Sequence, residues 1–258
     1  MNNSLPKFYE RIKNASTYKE SRIILALDIL PRSDLKDFAK KAITLLEEYI
    51  CAIKVNFHLI LPLSSFDISE INEVAHSYGL QSIADIKLND ISSTNEIAID
   101  YLLKMGFDAV VINPFVGKTA LQLAVKQAHR DNCGIIALVY MSYAEARESF
   151  GIKIINTKQG RNKIANMYNL FLHHAYLSAV DGIVIGATQT GILREIYNNN
   201  PKKIPIYSPG IGAQGGNVID AAKNGTDFFI VGRSIINSKY PIREVIEIKN
   251  KISGIYRS

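Results

Sequence analysis

Three successive apolar runs of this 258-residue chain carry charge where charge is costly. Arg22–Asp28 (RIILALD) ends in Asp28, and Cys51–Asn56 (CAIKVN) holds Lys54 near its middle. Gln81–Lys87 (QSIADIK) contains Asp85 and Lys87, with Asp90 three residues further on. A charge buried without a partner costs several kcal/mol, so these groups must neutralise one another or serve a site. If the third run is a strand, its side chains alternate faces, which puts Asp85 and Lys87 on one face with Cα atoms about 6.6 Å apart. Asp90 lies past the run and can return from a loop. Carboxylates interleaved with ammonium groups keep each Lys protonated, and a protonated Lys is a proton donor. An ionised Asp beside it repels a substrate anion, which is useful only if that anion must leave. The set suits a reaction that expels negative charge and then delivers a proton to carbon.

A second group of residues is suited to an anion. One run leads into Ser208-Pro209-Gly210-Ile211-Gly212-Ala213-Gln214-Gly215-Gly216, and the next into Gly232-Arg233-Ser234. Glycines let backbone N–H groups approach an anion closely, and a helix N-terminus adds partial positive charge. Gly-rich turns alone are often only turns. Two in consecutive units, with an Arg in the second, point to phosphate.

The elements that must hold these residues follow from periodicity. Besides the three runs above, strands are expected at Asp108–Ile112, Gly134–Val139, Asp181–Ile185, Ile204–Tyr207 and Asp227–Val231. Most are continuously apolar, as in a parallel sheet buried on both faces. Segments of helical period lie between them, such as the stretch after Ser33, a candidate N-cap. Eight strand–helix units without a linker predict one α/β domain over residues 1–258, a closed (β/α)8 TIM barrel, with an open doubly wound sheet as the alternative. An extra N-terminal helix is expected at about Pro6–Tyr18. The longest connection, Met141 to about Asn162, reads as a mobile active-site loop. In such barrels chemistry sits at the C-terminal strand ends, where the charged set and both glycine turns fall.

Composition narrows the function classes. The net charge is +6. Residues 1–22 and 239–258 each hold five Lys/Arg against two Glu, so the body between them is neutral. No basic stretch with interleaved aromatics appears there, so no nucleic-acid partner is expected. No run approaches the ~18 apolar residues of a membrane span. The N-terminal MNNSLPKFYERIKN lacks a secretory apolar core, and a cytoplasmic location is expected. Cys51 and Cys133 read as small buried hydrophobes. The five histidines form no HxH or HExxH pattern, so no histidine-bound metal is expected.

The run Asp85-Ile86-Lys87-Leu88-Asn89-Asp90-Ile91, followed by Thr94, matches an Asp-x-Lys-x-x-Asp-Ile signature, and Pro209–Gly216 reads PGIGAQGG without a break. With these, and from Ala26–Asp28 (ALD) to Val231–Ile235 (VGRSI), the chain resembles the orotidine 5′-phosphate decarboxylases. The resemblance implies cofactor-free decarboxylation of orotidine 5′-phosphate to UMP, the last step of pyrimidine nucleotide synthesis. Carried over, Asp85 faces the departing carboxylate and Lys87 protonates C6. Lys54 and Asp28 bind ribose hydroxyls and anchor the charges. Asp90, Ile91 and Thr94 come from the second subunit of a homodimer. Ser142 contacts the pyrimidine, Gln214 and Arg233 hold the phosphate, and Pro209, Gly212 and Gly232 are substrate-binding positions in the turns around it. Two departures are local: Asn56 stands where that family usually has Gly, and Ser92-Ser93 replaces a Pro- or Ala-containing turn. Related Mg²⁺-dependent sugar-phosphate decarboxylases and synthases carry a metal-binding Glu where this chain has Lys54, whose ammonium has only donors. A catalytically silent phosphate-binding barrel would need neither Asp85 nor Lys87.

Overall fold

The computed structural model describes residues 7–158, 161–200 and 203–256. After α1 (Phe8–Tyr18) the chain runs β1 (Ile23–Ala26), α2 (Leu35–Leu46), β2 (Ala52–Val55), α3 (Phe57–Ile60), α4 (Ser65–Ser77), β3 (Gln81–Leu88), α5 (Ser92–Lys104), β4 (Ala109–Ile112), α6 (Lys118–Arg130) and β5 (Gly134–Tyr140). It continues through β6 (Lys153–Lys158), β7 (Arg161–Asn166), α7 (Met167–Ser178), β8 (Gly182–Ile185), α8 (Thr190–Asn198), β9 (Ile206–Ser208), α9 (Val218–Lys223), β10 (Phe228–Val231), α10 (Arg233–Ile236) and α11 (Pro241–Tyr256). Strands β1-β2-β3-β4-β5-β8-β9-β10 pair in parallel, and β10 closes on β1. The chain is a (β/α)8 barrel, closed rather than open, with the extra helix in front. Strands such as β1 (IILA), β4 (AVVI) and β10 (FFIV) are buried at every residue, because barrel interior and helix shell cover both faces.

Three expectations need correction. Helix α2 begins after Asp34, not Ser33, and its cap position makes no side-chain hydrogen bond. Helix α1 begins at Phe8; Pro6 lies outside the described residues. The connection after β5 is not merely a loop: β6 and β7 form an antiparallel ladder from Lys153↔Asn166 to Lys158↔Arg161. The extra helix has a structural task. Its Phe8 ring sits so close to Gly134 that a Cβ there would lie 2.5 Å from the ring, and Arg11 bonds Gln81, the Asn132 carbonyl and Asp108 at the strand starts. The two basic termini also meet, but as packing: Lys249 donates to the Lys19 carbonyl, and Arg22 lies over the Tyr256 ring.

One device recurs at the N-terminal end of the barrel. Asp108, Asp181 and Asp227 each precede a strand and accept from the backbone N–H of the preceding barrel strand, at Ser82 (2.8 Å), Ile135 (2.9 Å) and Ile206 (2.9 Å). Each Asp returns its own N–H to that same residue's carbonyl. The β1–β2 pair lacks the carboxylate: Cys51 takes the place, and Ser21 Oγ accepts the Ile23 N–H at 3.2 Å. Burial pushes the Cys51 thiol up to about 12, so it stays an uncharged packing group. These staples fix strand stagger at the end opposite the site.

Candidate active site

The charged set converges at the C-terminal mouth of the barrel. Lys54 projects from β2 with Nζ 2.8 Å from Asp85 Oδ2 and 3.6 Å from Asp28 Oδ1. Lys87 Nζ lies 2.7 Å from Asp85 Oδ1, so each Asp85 oxygen holds one ammonium. Burial opposes the charge on Lys54, but Asp85 and Asp28 outweigh it and hold the ammonium above its ordinary value. Burial likewise pushes Asp85 up, yet Lys54 and Lys87 together bring it down to about 2. Asp85 is an obligatory anion at neutral pH. Lys87 does not follow regular strand alternation: its φ is +48°, and the β3–β4 register shifts between Ala84 and Leu88. A non-glycine residue in that region costs of order 1–3 kcal/mol and persists only where the surroundings impose it. Here the turn sends Lys87 back onto Asp85 and leaves its side chain 36% exposed at the cavity.

Below these charges is a cavity of about 270 Å³. Ile83, Val111, Ile136, Leu138, Val184 and Ile230 supply apolar walls, and Asp28, Lys54, Asp85, Lys87, Ser142, Pro209, Gln214, Gly232 and Arg233 also line it. A carboxylate and two ammonium groups over an apolar cleft can hold a planar anionic substrate and exchange charge with little water present.

At the anion end the chain folds back on itself. Gly210 and Gly212 have φ of +94° and +72°, and the Gly216 N–H donates to the Gly210 carbonyl at 3.0 Å. A Cβ at Gly210 would lie 2.7 Å from Ser142 Cβ, so this turn needs glycine for conformation and for approach. Ser142 Oγ donates to Gln214 Oε1 at 2.5 Å, tying the β5 connection to the glycine turn. Gly232 leads into α10, which opens with the exposed Arg233. Gly212 stands just outside the cavity lining, facing Ser234.

Besides Gly212, three expected site residues do not line this cavity. Asp90 and Ile91 form the exposed corner after β3, Thr94 stands exposed in the first turn of α5, and none lines it. Two polar groups were not expected. Asn56 Nδ2 donates to Asp28 Oδ1 at 2.7 Å, while its Oδ1 caps α3 through the His58 N–H. Ser234 Oγ is buried without a protein partner beside the Gly212 turn. The break from Gly at position 56 was the one sequence signal for the first; the second falls in the Gly232-Arg233-Ser234 turn, where no sequence feature assigned its hydroxyl a separate role.

A model of the Orotidine 5'-phosphate decarboxylase / HUMPS family matches residues 21–248. The chain belongs to this family. It is 34% identical to orotidine 5'-phosphate decarboxylase of Pyrococcus horikoshii over 234 residues, 90% of this chain and 100% of the relative. The enzyme of that name from Thermococcus kodakarensis is 33% identical over 223 residues, 86% of this chain and 92% of the relative. Among solved structures, orotidine 5'-monophosphate decarboxylase of Methanocaldococcus jannaschii, complexed with the inhibitor BMP, superposes with a TM-score of 0.75 at 27% identity, covering 90% of this chain and 98% of that one. Among the described residues no group of three His, Cys, Asp or Glu side chains comes together as a metal site, and no helix is long and apolar enough to cross a membrane.

Proposed function

We propose that this chain is a carboxy-lyase that converts orotidine 5′-phosphate to UMP without a metal or cofactor. The observation that carries the reading is the chain of contacts Lys54–Asp85–Lys87 at 2.8 and 2.7 Å over an apolar cavity, in a member of a decarboxylase family. With the substrate carboxylate against Asp85, two anions oppose each other in a poorly hydrated site. The C6–carboxylate bond breaks, CO₂ leaves uncharged and the electron pair stays on C6. Lys87 Nζ meets that charge and transfers a proton to C6, giving UMP and a neutral amine that solvent reprotonates. Lys54 and Asp28 take the ribose hydroxyls. Ser142 contacts the pyrimidine. Gln214, Arg233 and the turns at Pro209, Gly212 and Gly232 take the phosphate. Binding energy from that remote phosphate raises kcat only through contacts that tighten towards the transition state.

Asp90, Ile91 and Thr94 are assigned to the neighbouring subunit of a homodimer. Support comes from their position outside the cavity of their own chain, and from exposed Leu61 (76%), Ile91 (68%) and Phe115 (66%), which follow the adjacent strands β2, β3 and β4. Apolar side chains left exposed along one rim mark an interaction surface. Lys54 argues against Mg²⁺-dependent chemistry, because an ammonium salt-bridged to Asp28 and Asp85 occupies the place a cation would need. The test is purified protein with orotidine 5′-phosphate and excess EDTA, followed by loss of substrate absorbance and chromatographic detection of UMP. Turnover that persists is expected. No UMP, or turnover only with added Mg²⁺, would overturn the reading.

A further inference from the structure

A buried amide holds the corner that carries Asp90. Asn95 is 2% exposed and lies in the first turn of α5, where its own N–H donates to the Ile91 carbonyl at 3.0 Å. Asn is a poor helix former, and a buried amide is costly unless bonded. Its side chain reaches out of the helix and closes a ring on the backbone of Asp90. Nδ2 donates to the Asp90 carbonyl at 2.7 Å, and Oδ1 accepts from the Asp90 N–H at 3.3 Å. The Asp90 carboxylate is restrained in turn, with Oδ1 accepting from the Ile91 N–H at 2.7 Å. Both main-chain polar groups of an exposed residue are thus tied to one buried side chain. The Cα–Cβ direction of a residue is set by its N–H and carbonyl, so fixing these two aims the carboxylate.

We infer that Asn95 is a positioning residue for Asp90, orienting its carboxylate for the reaction without touching substrate. This rests on the reading above that Asp90 belongs to a working site. Removing the amide frees two backbone groups at the corner, and a displacement of about 1 Å in a catalytic group can cost about 10²-fold in rate. The test is a double-mutant cycle: Asn95→Ala, with Asn95→Ser as a smaller perturbation that still cannot span both Asp90 groups, each made alone and on an Asp90→Ala background. For every protein, kcat and KM for orotidine 5′-phosphate and the thermal midpoint are measured. At least about a tenfold loss in kcat/KM is expected alone, carried mainly by kcat, and less than about twofold on the Asp90→Ala background. If Asn95→Ala does not fold, Asn95→Ser carries the same comparison. Equal losses on both backgrounds, or lowered thermal midpoints with activity kept, would make Asn95 a support of the barrel and overturn the inference. Near-parental activity of Asp90→Ala itself would instead show that the reading of Asp90 has failed, and the inference would go with it.

Discussion

Asp85 accepts one ammonium on each oxygen, and this division sets what each neighbour can do. Lys54, buried and shared with Asp28, is fixed; Lys87, the more exposed of the two, is free to turn towards a substrate. Lys87→Ala is therefore expected to lower kcat by at least the ~10²–10⁴ of a positioned proton donor while the fold is kept. Activity within a few-fold of the parent would remove Lys87 from that role; circular dichroism checks the fold. Arg233, at the other end of the cavity, is expected to act on phosphate alone. A hydrogen bond to a charged group is worth roughly 1.5–3 kcal/mol. Arg233→Ala should raise KM for the nucleotide and leave the slow turnover of orotidine, which lacks the phosphate, almost unchanged. Equal losses on both substrates would put Arg233 elsewhere. The charges were legible in the sequence because apolar strands leave no bland use for them. Asn56, Asn95 and Ser234 were not, because an amide or hydroxyl acquires meaning only from a partner that folding brings near.

Element by element, the eight strands could be read from β-branched runs, and the structure moves their ends by a residue or two. The β6–β7 hairpin could not: KIINTK and RNKIAN are too polar and too weakly alternating to stand out from a loop. Nor could the Asp staples, since a lone Asp before a strand resembles any turn residue. One of them carries a pH dependence. His76 Nε2 lies 2.9 Å from Asp108 Oδ2, and this hydrogen bond, against partial burial, raises the imidazole above its ordinary value of 6.5. A group whose pKa is raised by folding stabilises fully below its unfolded value and loses that contribution as pH rises through the folded one. His174 has the opposite sign: burial lowers it, so it disfavours the fold as pH falls towards and below 6.5. The net slope of wild type mixes the two, and the difference from His76→Gln isolates the first. Between about pH 6 and about pH 8 the thermal midpoint of His76→Gln should fall less, or rise more, than that of the parent. Parallel curves would mean that the contact with Asp108 gives no pH-dependent stability.

Nothing in one chain's sequence says where a surface residue goes in an assembly, so the subunit sharing of Asp90 entered only through family resemblance. The single-chain geometry makes it testable, because Lys87 lines the cavity of its own barrel and Asp90 does not. If two-fold pairing brings Asp90 of one chain to the cavity of the other, each site draws Lys87 and Asp90 from different subunits. An Asp90→Ala chain and a Lys87→Ala chain are then each nearly inactive as homodimers. Unfolded together and refolded, half of the randomly paired dimers are mixed, and a mixed dimer holds one intact site and one that lacks both groups. About a quarter of wild-type activity should return, provided the chains reassort freely and the sites act independently. Sedimentation checks that dimers have re-formed, and wild type carried through the same cycle sets the scale. A dimer whose Asp90 serves its own chain, or a monomer, has no intact site in any mixture and regains nothing. That outcome would withdraw the intersubunit assignment of Asp90, Ile91 and Thr94 and leave Asp85 and Lys87 untouched, because their contacts lie within one barrel.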